Sequence, residues 1–248
     1  MPNKCIGGRR QRYPEVGAGA LLKHTTLDAT RKGGAMNVVF DLGGVVLTWD
    51  PASIIASVFS DAREQALVRD LVFGHPDWVG LDRGELTPDE VIERAAVRTG
   101  IPAATLRVLF DAFPKALVPV EPVLELVSQV RAGGNRVLVL SNLHRASFER
   151  VRDSLGIFQR FDGSVVSCEV GAAKPEPAIY RRLIDEFHLD PSATVFIDDH
   201  LVNLDAAAQF GIATVLFTDA ARCRGDLEAL DVHLTSVWSG RADDCRTL

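Results

Sequence analysis

The sequence is poor in cysteine, and its four cysteines are not placed as a group. Cys5, Cys168, Cys223 and Cys245 form no CxxC pair and share no regular spacing. That excludes a zinc ribbon or a disulfide scaffold and fits a reducing, cytoplasmic setting. No run of about eighteen apolar residues occurs, so no membrane span is expected. Internal repeats and low-complexity stretches are also missing. What remains is an ordinary globular composition, 47% hydrophobic and 24% charged over 248 residues. That length suits one large or two modest domains, and two tightly coupled domains are expected.

The net charge of −6 hides an asymmetry. Residues 1–35 carry seven basic side chains against Glu15 and Asp28, a balance of +5, which leaves −11 for residues 36–248. So acidic a body is a poor partner for nucleic acid. The basic segment is Gly-rich and lacks periodicity. It reads as an untranslated upstream stretch, a flexible tail or an Arg-rich targeting segment, and the folded unit is expected to begin at Met36.

From Met36 onward, short Val- and Ile-rich runs alternate with amphipathic stretches. Asn37 to Phe40, Val137 to Leu140, Ser164 to Ser167, Thr194 to Ile197 and Thr214 to Phe217 read as strands. Strands separated by helices predict an α/β fold with a doubly wound, Rossmann-like parallel sheet. Almost a hundred residues separate the first strand from the second, far more than a crossover needs. This predicts a small α-helical cap domain over residues 51–117, with the core formed by residues 36–50 and 118–248. Helices are expected around 52–59, 62–72, 88–98 and 102–113. Thr87, Pro88 and Glu90 supply the N-cap, first turn and capping-box acid of the third.

A doubly wound sheet binds ligands beyond the carboxyl ends of its strands. There the sequence places Asp41 in FDLGGVV, where Gly43 and Gly44 permit a sharp turn, and Ser141 and Asn142 in VLVLSNL. Lys174 follows in GAAKPEPAIY, and Asp198 and Asp199 in VFIDDH, with Asn203 one helical turn on. An Asp in such a place also serves as a helix cap. Adjacent carboxylates, however, repel, and a cation beside them is the simplest remedy.

These four motifs, 100, 33 and 25 residues apart, resemble the haloacid dehalogenase superfamily, and within it the Mg-dependent phosphatases with a helical cap. The resemblance covers residues 36 to about 220. It implies a hydrolase in which Asp41 attacks phosphorus and forms an aspartyl-phosphate that water then hydrolyses. It further implies Mg2+ bound by Asp41, Asp199 and the Gly43 carbonyl, with Asp198 as a further ligand or just behind them. Lys174 would offset phosphate charge, while Ser141, the Asn142 N–H and the backbone at Gly43 and Gly44 would bind the phosphoryl group. Asn203 would orient Lys174 or a metal-bound water. The expected substrate is a small phosphorylated metabolite, a sugar phosphate among the candidates, handled by a monomer or homodimer.

One position departs from the pattern. Most phosphatases of the superfamily carry a second Asp two residues after the nucleophile as general acid, and here that residue is Gly43. Three outcomes stay open: a substrate with a good leaving group, an acid supplied by the cap, or a phospho-ligand-binding protein without turnover. Gly43 also admits a dehalogenase, since halide leaves without a proton, although the Asp198–Asp199 pair favours phosphate. In the cap, DWVGLDRGELTPDE reads as a loop offering Asp82, Arg83 and Glu85 around Gly84. Trp49 and Asp50 are expected along the pocket, His144 and His200 on the surface, and Cys168 in the core.

Overall fold

A computed structural model of the chain describes residues 34–236. The basic extension expected over residues 1–35 falls almost wholly outside these, as do Cys5 and Cys245.

The chain enters through β1 (Asn37–Phe40) and passes at once into five helices. These are α1 (Pro51–Val58), α2 (Ala62–Val68), α3 (Pro76–Asp82), α4 (Pro88–Thr99) and α5 (Ala103–Ala116). It returns through α6 (Glu121–Ala132) to β2 (Arg136–Ser141), α7 (Arg145–Asp153), β3 (Gly163–Val166) and the short α8 (Ser167–Val170). Then follow α9 (Pro177–Phe187), β4 (Thr194–Asp198), α10 (Leu201–Ala208), β5 (Ala213–Leu216) and α11 (Ala220–Ala229). All strand pairs are parallel, in the order β3-β2-β1-β4-β5. This is the expected α/β architecture.

The strands are apolar throughout because the sheet is covered on both faces. Alternate residues point to opposite sides. Val38, Phe40, Val137 and Val139 pack with Val127 of α6 and Leu227 of α11 in one cluster. Val39, Leu138 and Phe196 join Tyr180 of α9 and Leu204 of α10 in the other. Residues between β1 and α6 keep an apolar cluster of their own, including Ile55, Leu81, Ile92, Leu106 and Phe113, against which Trp49 also packs.

The capping box forms as read: Thr87 Oγ1 accepts from Glu90 N at 3.3 Å, and Glu90 Oε2 accepts from Thr87 N at 2.8 Å. The loop expected at DWVGLD is instead helix α3. Pro76 occupies its first turn, and His75 Nδ1 accepts from Asp77 N at 3.1 Å. A histidine acting as the cap, and a glycine inside the helix, disguised it in the sequence. The third strand also ends one residue early, and Ser167 opens α8. Among the described residues, no helix is long and apolar enough to cross a membrane.

Candidate active site

The order of the strands reverses at β1. Connections from β1 to β3 run toward one edge, and β4 and β5 lie on the other side. Backbones diverge beyond such a point and leave a crevice. Here the crevice is a cavity of about 290 Å3 between strand ends and cap.

Asp41 stands at the floor, its N–H donating to Ile197 O of β4 at 2.9 Å. The end of β4 supplies Asp198, and Lys174 arrives from the turn between α8 and α9. Lys174 Nζ lies 2.9 Å from Asp41 Oδ1 and 2.7 Å from Asp198 Oδ2. The side chains of Lys174 and Asp198 are 1% and 0% exposed, so the charges meet without competing water. Burial pushes the Asp41 carboxyl up to about 7, and repulsion from Asp198 adds to it against the pull of Lys174. Burial alone would discharge Lys174, but Asp41 and Asp198 outweigh it and hold the ammonium above its usual range.

Asp198 is held from every side. Besides Lys174 it accepts from Asn203 Nδ2 at 3.0 and 3.1 Å and from the His200 N–H at 2.8 Å. Asn203 therefore reaches Lys174 only through Asp198, and is itself tied down where its carbonyl accepts from Tyr180 OH at 2.9 Å. Asn142 grips the backbone of Lys174: its Oδ1 accepts from Lys174 N at 2.8 Å and its Nδ2 donates to Lys174 O at 2.9 Å. The role suggested for Asn142 was its own N–H; the structure adds a clamp that fixes where Lys174 begins. Ser141, at the end of β2, is buried; its hydroxyl lies close enough to Asp41 to ease the carboxyl downward but makes no well-formed hydrogen bond. A buried hydroxyl beside Asp41 that makes no well-formed bond suits a phosphoryl oxygen.

The other acid, Asp199, is about a quarter exposed and bonds His200 Nδ1 at 2.8 Å. That bond raises the pKa of His200. Asp198, Asp199 and His200 offer ligand atoms within 4.8 Å of one another. Gly44 has φ +78°, and a Cβ there would collide with the Asp199 carboxylate. The glycine thus lets the Asp41 loop close over the second acid. The two carboxylates of this group, at the end of β4 and beside the Asp41 loop, suit a hard cation such as Mg2+.

Several sequence expectations need correction. Asp50 does not line the cavity; it is exposed and caps α1, accepting from Ser53 N at 3.1 Å. Trp49 does line it. His144 is not at the surface. It is buried against Trp78, with ring centroids 6.0 Å apart, and its Nε2 lies 2.9 Å from Ser147 Oγ. Burial lowers its pKa to about 4, so the ring is neutral at physiological pH. Arg83 and Glu85 turn away from the cavity, Arg83 pairing with Glu176. Asp82, by contrast, lines it and is 9% exposed. Cys168 is buried as expected.

Besides the polar His144, Ser147 and His200, the remaining wall includes an apolar stretch from Trp49, Trp78, Leu117, Leu143 and Val202. Sequence periodicity could not single these out, because aromatic residues in helices usually mark core.

The family model of the haloacid dehalogenase-like hydrolases matches residues 36–211. A sesquiterpene phosphatase of Aspergillus oryzae is 25% identical over 184 residues, 73% of this chain and 89% of that protein. An HAD-family enzyme of Bacteroides thetaiotaomicron superposes with a TM-score of 0.60 at 23% identity, over 75% of this chain and 95% of that one. The same enzyme has been solved with magnesium and inorganic phosphate. A dehalogenase superposes with a TM-score of 0.56 at 19% identity, over 73% and 83%. With that family model spanning most of the chain, and a parallel sheet whose strand ends gather Asp41, Lys174, Asp198 and Asp199, the chain belongs to the haloacid dehalogenase-like hydrolases.

Proposed function

We propose that the protein is a Mg2+-dependent phosphatase acting on a small phosphate monoester through an aspartyl-phosphate on Asp41. The observation that carries this reading is Lys174, buried and shared between Asp41 and Asp198 beside the buried hydroxyl of Ser141. A fixed cation and a hydroxyl next to a carboxylate are what a phosphoryl group needs. Asp41 Oδ2, the oxygen not bonded to Lys174, attacks phosphorus. Lys174 and Ser141 bind its equatorial oxygens, while Asp198 and Asn203 keep the ammonium in place. Asp41, Asp199 and the Gly43 carbonyl would hold Mg2+, with Asp198 behind them. When bound, the metal neutralises the approach of two anions and polarises the phosphoryl group.

The apolar wall favours a phosphate ester with a largely apolar alcohol over a sugar. The hydroxyls of a sugar would find few partners among Trp49, Trp78, Leu117 and Leu143. The substrate class in the name of the Aspergillus relative points the same way.

The second, partly exposed acid Asp199 is the feature that a metal-binding reading uses and a dehalogenase, which needs no metal, does not. Hydrolysis of a panel of phosphate monoesters and of 2-haloacids, with Mg2+ and with a chelator, tests the reading. Mg2+-dependent phosphate release is expected. Chelator-resistant halide release would establish the dehalogenase instead, and no turnover of either class would support a ligand-binding protein.

A further inference from the structure

Gly43 has no side chain that could give a proton to the departing ester oxygen. In-line displacement puts the leaving oxygen on the side of phosphorus opposite the attacking atom. Asp41 lies on the sheet, so the leaving group faces the cap. Among the described residues, Asp82 is the only ionisable one that the cap, residues 51–117, contributes to the cavity lining.

Asp82 is fixed there by the core. Its carbonyl accepts from Ser167 Oγ of α8 at 2.6 Å. The next residue, Arg83, is paired with Glu176 just before α9. After it, Gly84 has φ +73°, and a Cβ there would sit 3.0 Å from Cys168 O. These contacts anchor the end of α3 to the stretch of chain that delivers Lys174. The cap acid and the core lysine therefore share one support.

Two histidines on the core side of the cavity compete for the role. His144 is neutral, its Nε2 engaged by Ser147, and has no proton to spare at physiological pH. His200 is committed to Asp199, and its side chain is 59% exposed.

We infer that Asp82 is the general acid of the first half-reaction and the general base of the second, in place of the residue missing at Gly43. The inference rests on the phosphatase reading above. As the Asp41 Oδ–phosphorus bond forms and the ester oxygen–phosphorus bond breaks, the Asp82 carboxyl gives its proton to the departing oxygen, and the alcohol leaves. The resulting Asp82 carboxylate then takes a proton from a water whose oxygen attacks the aspartyl-phosphate. The Asp41 Oδ–phosphorus bond breaks, inorganic phosphate forms, and both carboxyl groups return to their starting states.

Burial agrees with this use. It pushes the Asp82 carboxyl up to about 7, with Asp41 adding repulsion and the His144 N–H and Lys174 opposing. The titratable groups that act on it are Asp41, Lys174 and the Cys168 thiol, and the His144 ring lines the same cavity. An acid near neutrality can both give and take a proton during turnover.

The test is kcat/KM for phosphate esters graded by leaving-group pKa, from aryl to alkyl, with Mg2+, for wild type, Asp82→Asn and Glu85→Gln. Wild type and Glu85→Gln should show a shallow dependence. Asp82→Asn should lose about 10²- to 10⁴-fold on alkyl esters and less than about tenfold on p-nitrophenyl phosphate. A uniform loss, or none, overturns Asp82 as the acid while leaving the phosphatase reading intact. A wild type inactive on every ester overturns both. The wild-type protein also gives a reading without any variant. Carboxyl 13C NMR should show Asp82 titrating near neutrality, and titration in the ordinary aspartate range would overturn the assignment.

Discussion

Lys174 binds two carboxylates with one charge, and removing either partner has a different effect. Asp198 holds the ammonium in place; in the proposed mechanism Asp41 is the group that reacts. Asp41→Asn keeps the shape and the hydrogen bond but has no anionic oxygen to attack. Turnover should fall by at least about 10³-fold while circular dichroism stays unchanged. Retention of a tenth of the activity would contradict a covalent role. Asp82 provides a second residue-level prediction, on stability. Its native pKa, near 7, lies above the unfolded value, so folding favours the protonated form. The stability it contributes is fully present below about pH 4 and is lost as pH rises through 7. Asparagine imitates the protonated acid at every pH. Asp82→Asn should therefore match wild type near pH 4 and exceed it by about 2–4 kcal/mol at pH 8, as measured by denaturant unfolding without Mg2+. An equal difference at both pH values would show that the carboxyl is not perturbed.

Helix α3 and the turn after it decide where the cap meets the core. Trp78 and Leu81 bury one side of the helix in the cap cluster, and its last residue, Asp82, enters the cavity. The turn can lie flat on α8 only because Gly84 takes a left-handed conformation close to Cys168 O. Gly84→Ala puts a methyl into that gap and strains the backbone. A loss of about 1–2 kcal/mol in unfolding free energy is expected, with a larger proportional fall in kcat for esters of poor leaving groups than for aryl esters. If activity fell equally on all esters, the turn would matter to folding and not to the placement of Asp82.

At the scale of the whole molecule, the sheet and the cap hold separate apolar clusters joined through Trp49. The side chains of the candidate site reach one cavity from β1, β2, β4 and the α8–α9 turn. A cation at Asp41 and Asp199 would tie two of these strand ends together and bind only the folded state. Mg2+ should then raise the wild-type melting temperature in a concentration-dependent way. Asp199→Ala should abolish most of that rise. An unchanged rise would place the metal elsewhere.

The sequence alone determined the alternating α/β architecture, because a sheet covered on both faces demands unbroken apolar strands and helices between them. It also singled out Asp41, Ser141, Asn142, Lys174, Asp198, Asp199 and Asn203 as candidates, since ligands of a doubly wound sheet bind beyond the carboxyl ends of its strands. Only the tertiary structure decided how these residues divide the work. Asp198 and Asn203 act on Lys174, and Asn142 grips its backbone, because hydrogen-bond partners 24 to 32 residues away are invisible to local pattern. The burial of His144 beneath Trp78, and the emergence of Asp82 from a helix that reads as a loop, depended on how the cap packs. That packing is set by contacts such as Ser167 to Asp82, 85 residues apart, for which the chain carries no periodic signal.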